Sequence, residues 1–210
     1  DGHNLATYFL DKLDVLEIFI DKLIEKKCID GLEMSIESNR HYFFYEIAKR
    51  VSESKKIDTV RMNRYLNILK KLYTELHIDG LVFMGIFLNS PEIITLLMDF
   101  DFDFMVYAKN KLSPLSMAIY NGFLDIVILI LEYTKNKFGD YEVFTMINSS
   151  DKNYEFRPMF TAIKLKNFLA IRILIKYMLP YIDKYETMNH EPLLFRREID
   201  NFQNQYLHRI

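Results

Sequence analysis

An all-α solenoid, built by stacking short helix pairs, is the fold class this sequence predicts, and three observations predict it. One stretch, residues 113–133, recurs along the chain with helical rather than alternating spacing of its apolar residues. Each copy carries two small apolar faces hinged on turn residues, so no copy can bury itself without a neighbour. Only six Gly and five Pro are spread over 210 residues, too few for a turn-rich β-sandwich or barrel.

The reference copy reads SPLSMAIYNGFLDIVILILEY (113–133). Gly inside a helix costs about 1 kcal/mol relative to Ala, so Asn121-Gly122 is a hinge between two helices and not the middle of one. Pro114 at a first helical turn loses no hydrogen bond, and Ser113 before it is a natural N-cap. Small Ala118 lets two antiparallel helices approach closely. Thirty-three residues upstream, GLVFMGIFLNSPEIITLLMDF (80–100) sets Gly85 against Ala118 and Ile93-Ile94 against Ile126-Val127. Leu96, Leu97 and Met98 there meet Leu129, Ile130 and Leu131. Forty-four residues downstream, RPMFTAIKLKNFLAIRILIKY (157–177) sets Pro158 against Pro114 and Ala162-Ile163 against Ala118-Ile119. Weaker copies start at Asp30, keeping Ser35-Ile36, and at Asp1, keeping Asp14 before Val15-Leu16. A partial sixth begins near Pro192.

The resulting partition is one domain over 1–210, with copies at 1–28, 29–78, 79–108, 109–151 and 152–188 and a partial copy at 189–210. Two steps exceed 33 residues. Residues 134–151 form an extended connector. Residues 59–77 form an amphipathic helix with Asp58 or Thr59 near its N-cap, either an extra helix or a lengthened second helix of copy two.

Twenty-seven basic and 29 acidic side chains leave a net charge of -2, which gives no general reason to expect nucleic-acid or acidic-membrane binding. The single cysteine, Cys28, excludes an intramolecular disulfide and fits a reducing compartment, so a cytoplasmic location is expected. No apolar run approaches the roughly 18 residues of a membrane span. The chain begins at Asp1, which is expected of an excised or processed product.

No catalytic constellation emerges. His3, His41, His77, His190 and His208 have no partner at metal-ligand spacing. Cys28 follows Lys26-Lys27 but has no evident general base. DFDFD (99–103) lacks the glycine and final glutamate of a calcium loop. Phosphate-binding and nucleophile-elbow motifs are missing. The expectation is therefore a non-enzyme with no metal and no cofactor.

The repeated pattern resembles the ankyrin repeat. Ser113-Pro114-Leu115-Ser116 stands in its T-P-L-H place, Asn121-Gly122 at its inter-helix turn, and Leu124-Asp125-Ile126-Val127 in its L-E-I-V segment. No copy keeps the consensus histidine. The resemblance implies a protein–protein interaction module that binds through first helices and the fingers between pairs. The residues it assigns to binding are Ser116, Met117 and Tyr120 on a first helix, with Phe102, Phe104, Tyr107, Tyr154 and Arg157 in fingers. Tyr and Arg are favoured at interface hot spots. The partner is expected to be another protein, with no nucleic acid and no membrane. A composition rich in Ile, Lys, Asn, Tyr and Phe resembles that of host-interaction proteins of large DNA viruses or intracellular pathogens, acting in host cytoplasm. A factor sequestering a host protein, or a regulatory part of a larger enzyme, are the alternative readings.

Overall fold

The computed structural model describes residues 10–25, 40–54, 58–76, 80–106, 112–148 and 157–189, and these form ten α-helices and no β-strand. The chain divides into two compact units, Asp1–Phe102 and Asp103–Ile210, where the sequence reading takes 1–210 as one domain.

The first unit contains α1 (Leu13–Glu25), α2 (Arg40–Ser54), α3 (Thr59–Leu76), α4 (Leu81–Phe87) and α5 (Pro91–Asp99). Helix α3 starts where Asp58 accepts hydrogen bonds from the N–H groups of Val60 and Arg61, both at 3.0 Å, the geometry of an N-cap. Its apolar stripe of Tyr65, Ile68, Leu69 and Leu72 is buried, as are Ile47, Ala48 and Val51 of α2, and the two helices pack together. Helix α2 also packs on α4, while α3 packs on both α1 and α5. Packing therefore puts α3 in the same row as α5, the second helix of its own pair. It is a helix separate from α2, which ends at Ser54, and so an extra helix of copy two rather than a lengthening of its second helix.

The α4–α5 pair is unusually close. A Cβ added at Gly85 would lie 2.9 Å from Cγ2 of Ile93 and 3.2 Å from its Cβ. Ile93 branches next to its backbone and has little room to give. The equivalent positions in the second unit, Ala118 and Ala162, are fully buried and carry the methyl that Gly85 lacks.

The second unit contains α6 (Pro114–Tyr120), α7 (Leu124–Phe138), α8 (Asp140–Asn148), α9 (Pro158–Lys164) and α10 (Phe168–Asn189). Helices α6 and α7 pair, α9 and α10 pair, and the pairs stack first on first and second on second: α6 on α9, α7 on α10. Ile126, Val127, Ile130 and Leu131 of α7 match Ala170, Ile171, Leu174 and Ile175 of α10, and all eight are buried. Leu129, which the repeat pattern groups with them, is only half-buried, because it falls between the buried stripe and the solvent face.

Residues 134–148 are not an extended connector. Helix α7 runs on to Phe138, Gly139 breaks the chain at φ +98°, and α8 follows. Val143, Met146 and Ile147 carry α8 onto its neighbours at helical spacing, and the helix packs against α7, α9 and α10. A ring cluster pins it to α10: Tyr181 lies 4.8 Å from Phe144 and 5.4 Å from Tyr141. Helix α10 continues through Pro180, which has no N–H to give the Lys176 carbonyl.

Three helix pairs close with the same turn. After α4, α6 and α9 the residue in the left-handed region is Asn89 (φ 49°), Gly122 (φ 75°) and Lys166 (φ 53°). The following N–H donates to the carbonyl of the small residue five positions back: Ser90 to Gly85, Phe123 to Ala118, Asn167 to Ala162. The left-handed residue's own N–H donates to Ile86, Ile119 or Ile163. This is the double-bonded helix ending that satisfies otherwise orphaned carbonyls. Asn121 itself is right-handed, so only Gly122 of the Asn-Gly pair supplies the positive φ.

Lys166 carries a Cβ in a conformation that disfavours one by about 1–2 kcal/mol. Lys166→Gly is therefore expected to raise stability by a few tenths to about 1 kcal/mol, less the entropy Gly loses on folding. Gly122→Ala, with nothing within 4 Å of the added methyl, should cost about 1 kcal/mol from backbone strain alone. Urea unfolding of both variants checks the pair, and shifts of opposite sign are the expected result.

Candidate interaction surfaces

In the second unit the first helices α6 and α9 lie side by side, and their exposed side chains form its most distinctive surface. Ser113 caps α6 by accepting the Ser116 N–H at 3.1 Å, and its hydroxyl donates to the Ser116 hydroxyl at 3.1 Å. Both serines are buried, so Ser116 is a structural hydroxyl and not a contact offered to solvent. One turn on, Met117 is half-buried, and Tyr120 at the end of α6 is 62% exposed. The Asn121 amide donates to the Met117 carbonyl at 2.9 Å at the end of the helix.

The finger residues fall differently. Phe102 and Phe104 are buried, against the expectation of rings presented at a finger tip. Phe104 stacks edge-on against Tyr133 with ring centres 5.5 Å apart, so it belongs to the core of its unit. Arg157 is half-buried and directly precedes α9. Tyr107 and Tyr154 lie outside the described residues, as do Cys28 and four of the histidines; His41 lies within α2, but its side chain is outside them.

The sequence reading missed another set. Phe160, Ile163, Leu165 and Leu169 are 43–58% exposed, all at the α9–α10 pair. Ile163 aligns with the fully buried Ile119, so its pattern alone marks it as core.

The first unit presents a charged seam. Arg64 of α3 makes a fork to Glu17 of α1, with Nε to Oε1 at 3.0 Å and a terminal nitrogen to Oε2 at 2.8 Å, and also reaches Asp14. Lys71 pairs with Asp21, and Arg61 and Arg50 approach Asp11. Beneath the charges, Leu13, Leu16 and Ile20 are buried. The Arg64 hydrogen bond, outweighing partial burial, holds the Glu17 carboxyl below the usual glutamate range, and the carboxylates in turn raise Arg64.

A depressed acid contributes its stability fully above the ordinary glutamate value of about 4.3, and loses it as pH falls through its folded value. Amides of α1 are therefore expected to lose hydrogen-exchange protection before those of α3 as pH drops from 5 to 3, after correction for intrinsic rates. In Arg64→Gln that extra acid sensitivity should vanish. A wild-type profile in the variant would show that the seam does not set the acid response of α1.

In the second unit the Tyr177 hydroxyl, partly desolvated and donating to Glu132 at 3.0 Å, is pushed up to about 12. Among the described residues no group of three or more His, Cys, Asp or Glu side chains is placed to hold a metal ion. No helix among them is long and apolar enough to cross a membrane. Comparison with protein-family models, with curated proteins and with solved structures finds no match to this chain.

Proposed function

We propose that this chain is a protein-binding module of ankyrin-like helix pairs, meeting its partner protein through the first-helix ridge of Met117 and Tyr120. The observation that carries the reading is the repeated pair itself. Two pairs stack row on row, and all three close with the same hydrogen-bonded turn. Within a unit such a scaffold holds stacked first helices in fixed relation, and it leaves the last residue of each first helix free to vary. That residue is Tyr120 in α6 of the second unit and, separately, Phe87 in α4 of the first, and each is more than 60% exposed. An aromatic ring held on a rigid helix costs little conformational entropy to immobilise, which favours Tyr at binding hot spots. The lone cysteine fits a cytoplasmic setting for this binding.

Affinity capture from cytosolic extract, quantified by mass spectrometry, tests the reading. Tyr120→Ala with Met117→Ala is expected to lose a stoichiometric partner by roughly 30-fold, the loss of about 2 kcal/mol typical of a hot spot. Arg172→Ala with Lys176→Ala, on the exposed side of α10, should retain it. The opposite pattern would move the site to the second-helix row.

A further inference from the structure

Asn121-Gly122 is the only Asn-Gly pair in the 210 residues, and it forms the turn that joins α6 to α7. In an unfolded chain this pair is the one most given to modifying itself. The amide nitrogen after the asparagine attacks the side-chain carbonyl carbon, and glycine, having no Cβ, obstructs that attack least. Both residues are exposed, and nothing lies within 4 Å of where a Gly122 Cβ would stand. Neither crowding nor exclusion of water therefore blocks the reaction.

Three features of the closed turn oppose it instead. The Asn121 Nδ2 donates to the Met117 carbonyl at 2.9 Å, which draws the side chain back along α6 and away from Gly122. The Gly122 N–H donates to the Ile119 carbonyl at 3.1 Å, so the attacking nitrogen keeps its proton. A five-membered ring closes only when Cβ and the Gly122 nitrogen are nearly eclipsed about the Cα–C bond of Asn121. At ψ -4° the Asn121 nitrogen takes that eclipsed place and Cβ is turned aside. The equivalent turns lack the pair. Asn89 precedes Ser90, which is 1% exposed, and Asn167 precedes Phe168, with its Oδ1 accepting the Ala170 N–H at 3.0 Å.

We propose that Asn121-Gly122 is a self-deamidating modification site gated by this turn, silent while the turn is closed and converted when it opens. On opening, the Gly122 nitrogen gives its proton to water and bonds to Cγ of Asn121. The Cγ–Nδ2 bond breaks, and Nδ2 takes up a proton and leaves as ammonia. Water then opens the ring at one of its two carbonyls, leaving aspartate or isoaspartate. Water is the only co-reactant.

Either product loosens the turn. The new carboxylate has no N–H to give the Met117 carbonyl, and it sets a negative charge beside the last carbonyls of α6. Isoaspartate also routes the main chain through Cγ. That adds a methylene between Ala118 and Phe123, whose hydrogen bond at 3.0 Å closes the helix pair. The amide is not regained in water, so an opening of the α6–α7 turn is recorded rather than reversed. The site adjoins Tyr120, but its chemistry does not depend on that ring binding a partner.

The test incubates the full chain in neutral buffer, native and unfolded in guanidinium, and follows aspartate and isoaspartate at 121 by peptide mapping with mass spectrometry. Asn121 is expected to convert before any other asparagine in the unfolded chain. In the native chain it should convert about tenfold or more slower, as expected of a reaction that waits on local opening. Equal native and unfolded rates would overturn the gate, and earlier conversion of another asparagine in the unfolded chain would overturn the site. Ser113→Ala removes the cap of α6 and leaves 121–122 unchanged, and α6 has only seven residues through which that loss must reach the turn. It should raise the native rate several-fold and leave the unfolded rate as it is. A native rate unmoved by the substitution would overturn the proposal, and the wild-type comparison stands even if this variant fails to fold.

Discussion

Leu174→Ala is expected to destabilise the second unit by about 2–5 kcal/mol, the range for truncating a fully buried leucine. Leu174 is 0% exposed and lies in the first third of α10, with Ile171 and Ile175 on either side of it in the same buried stripe. That stripe is where α10 meets α7, α8 and α9. The surrounding helices are tied by their own turns and by the Tyr181 ring cluster, so they have little freedom to collapse into the void. A loss at the upper end of the range would mean a rigid cavity, and one at the lower end a partial collapse. Equilibrium urea unfolding at 25 °C measures it. A change within about 0.5 kcal/mol, the size seen for surface substitutions, would mean the helix register is misplaced.

Tyr65→Ala in the first unit should cost about as much, roughly 3–5 kcal/mol, but for two separable reasons. The ring is fully buried in α3, and its hydroxyl donates to the Leu10 carbonyl at 2.6 Å, fastening the chain just before α1. Arg61 also lies over the ring, 5.9 Å from its centre. Tyr65→Phe keeps the ring and removes the bond, leaving the Leu10 carbonyl without that donor, at a cost of about 1–3 kcal/mol. The two variants together divide the residue's contribution. If Phe proved as damaging as Ala, the hydrogen bond rather than the buried ring would account for most of the loss.

Local chemistry made the helix pairs legible in the sequence. Pro114 and Pro158, Ser113, the small residues at 85, 118 and 162, and the turn residues act within a few positions of themselves, and the structure builds the same turn from each set. Helix α8 was hidden because comparison at fixed spacing treats whatever lengthens a step as connector. Val143, Met146 and Ile147 nevertheless carry helical spacing that could have exposed it. Burial at 102 and 104 was not legible, because an aromatic in a non-helical stretch reads the same whether it faces solvent or folds inward, as Phe104 does onto Tyr133. Exposure at Phe160 and Ile163 was hidden for the converse reason: a repeat pattern gives every copy the same face and does not say in which copy that face is exposed. The Arg64–Glu17 fork joins residues 47 apart, beyond the reach of any local pattern.

The central claim, that the helix pairs of the second unit stack into one cooperative body, is tested most directly by native-state hydrogen exchange on wild type and Leu174→Ala. Packing of α9 on α6 and of α10 on α7 predicts that the substitution lowers protection by a similar free energy in α6, α7, α9 and α10, although only α10 carries the change. Protection lost in α9 and α10 alone, with α6 and α7 as slow as in wild type, would show two independent pairs and contradict the stacked array.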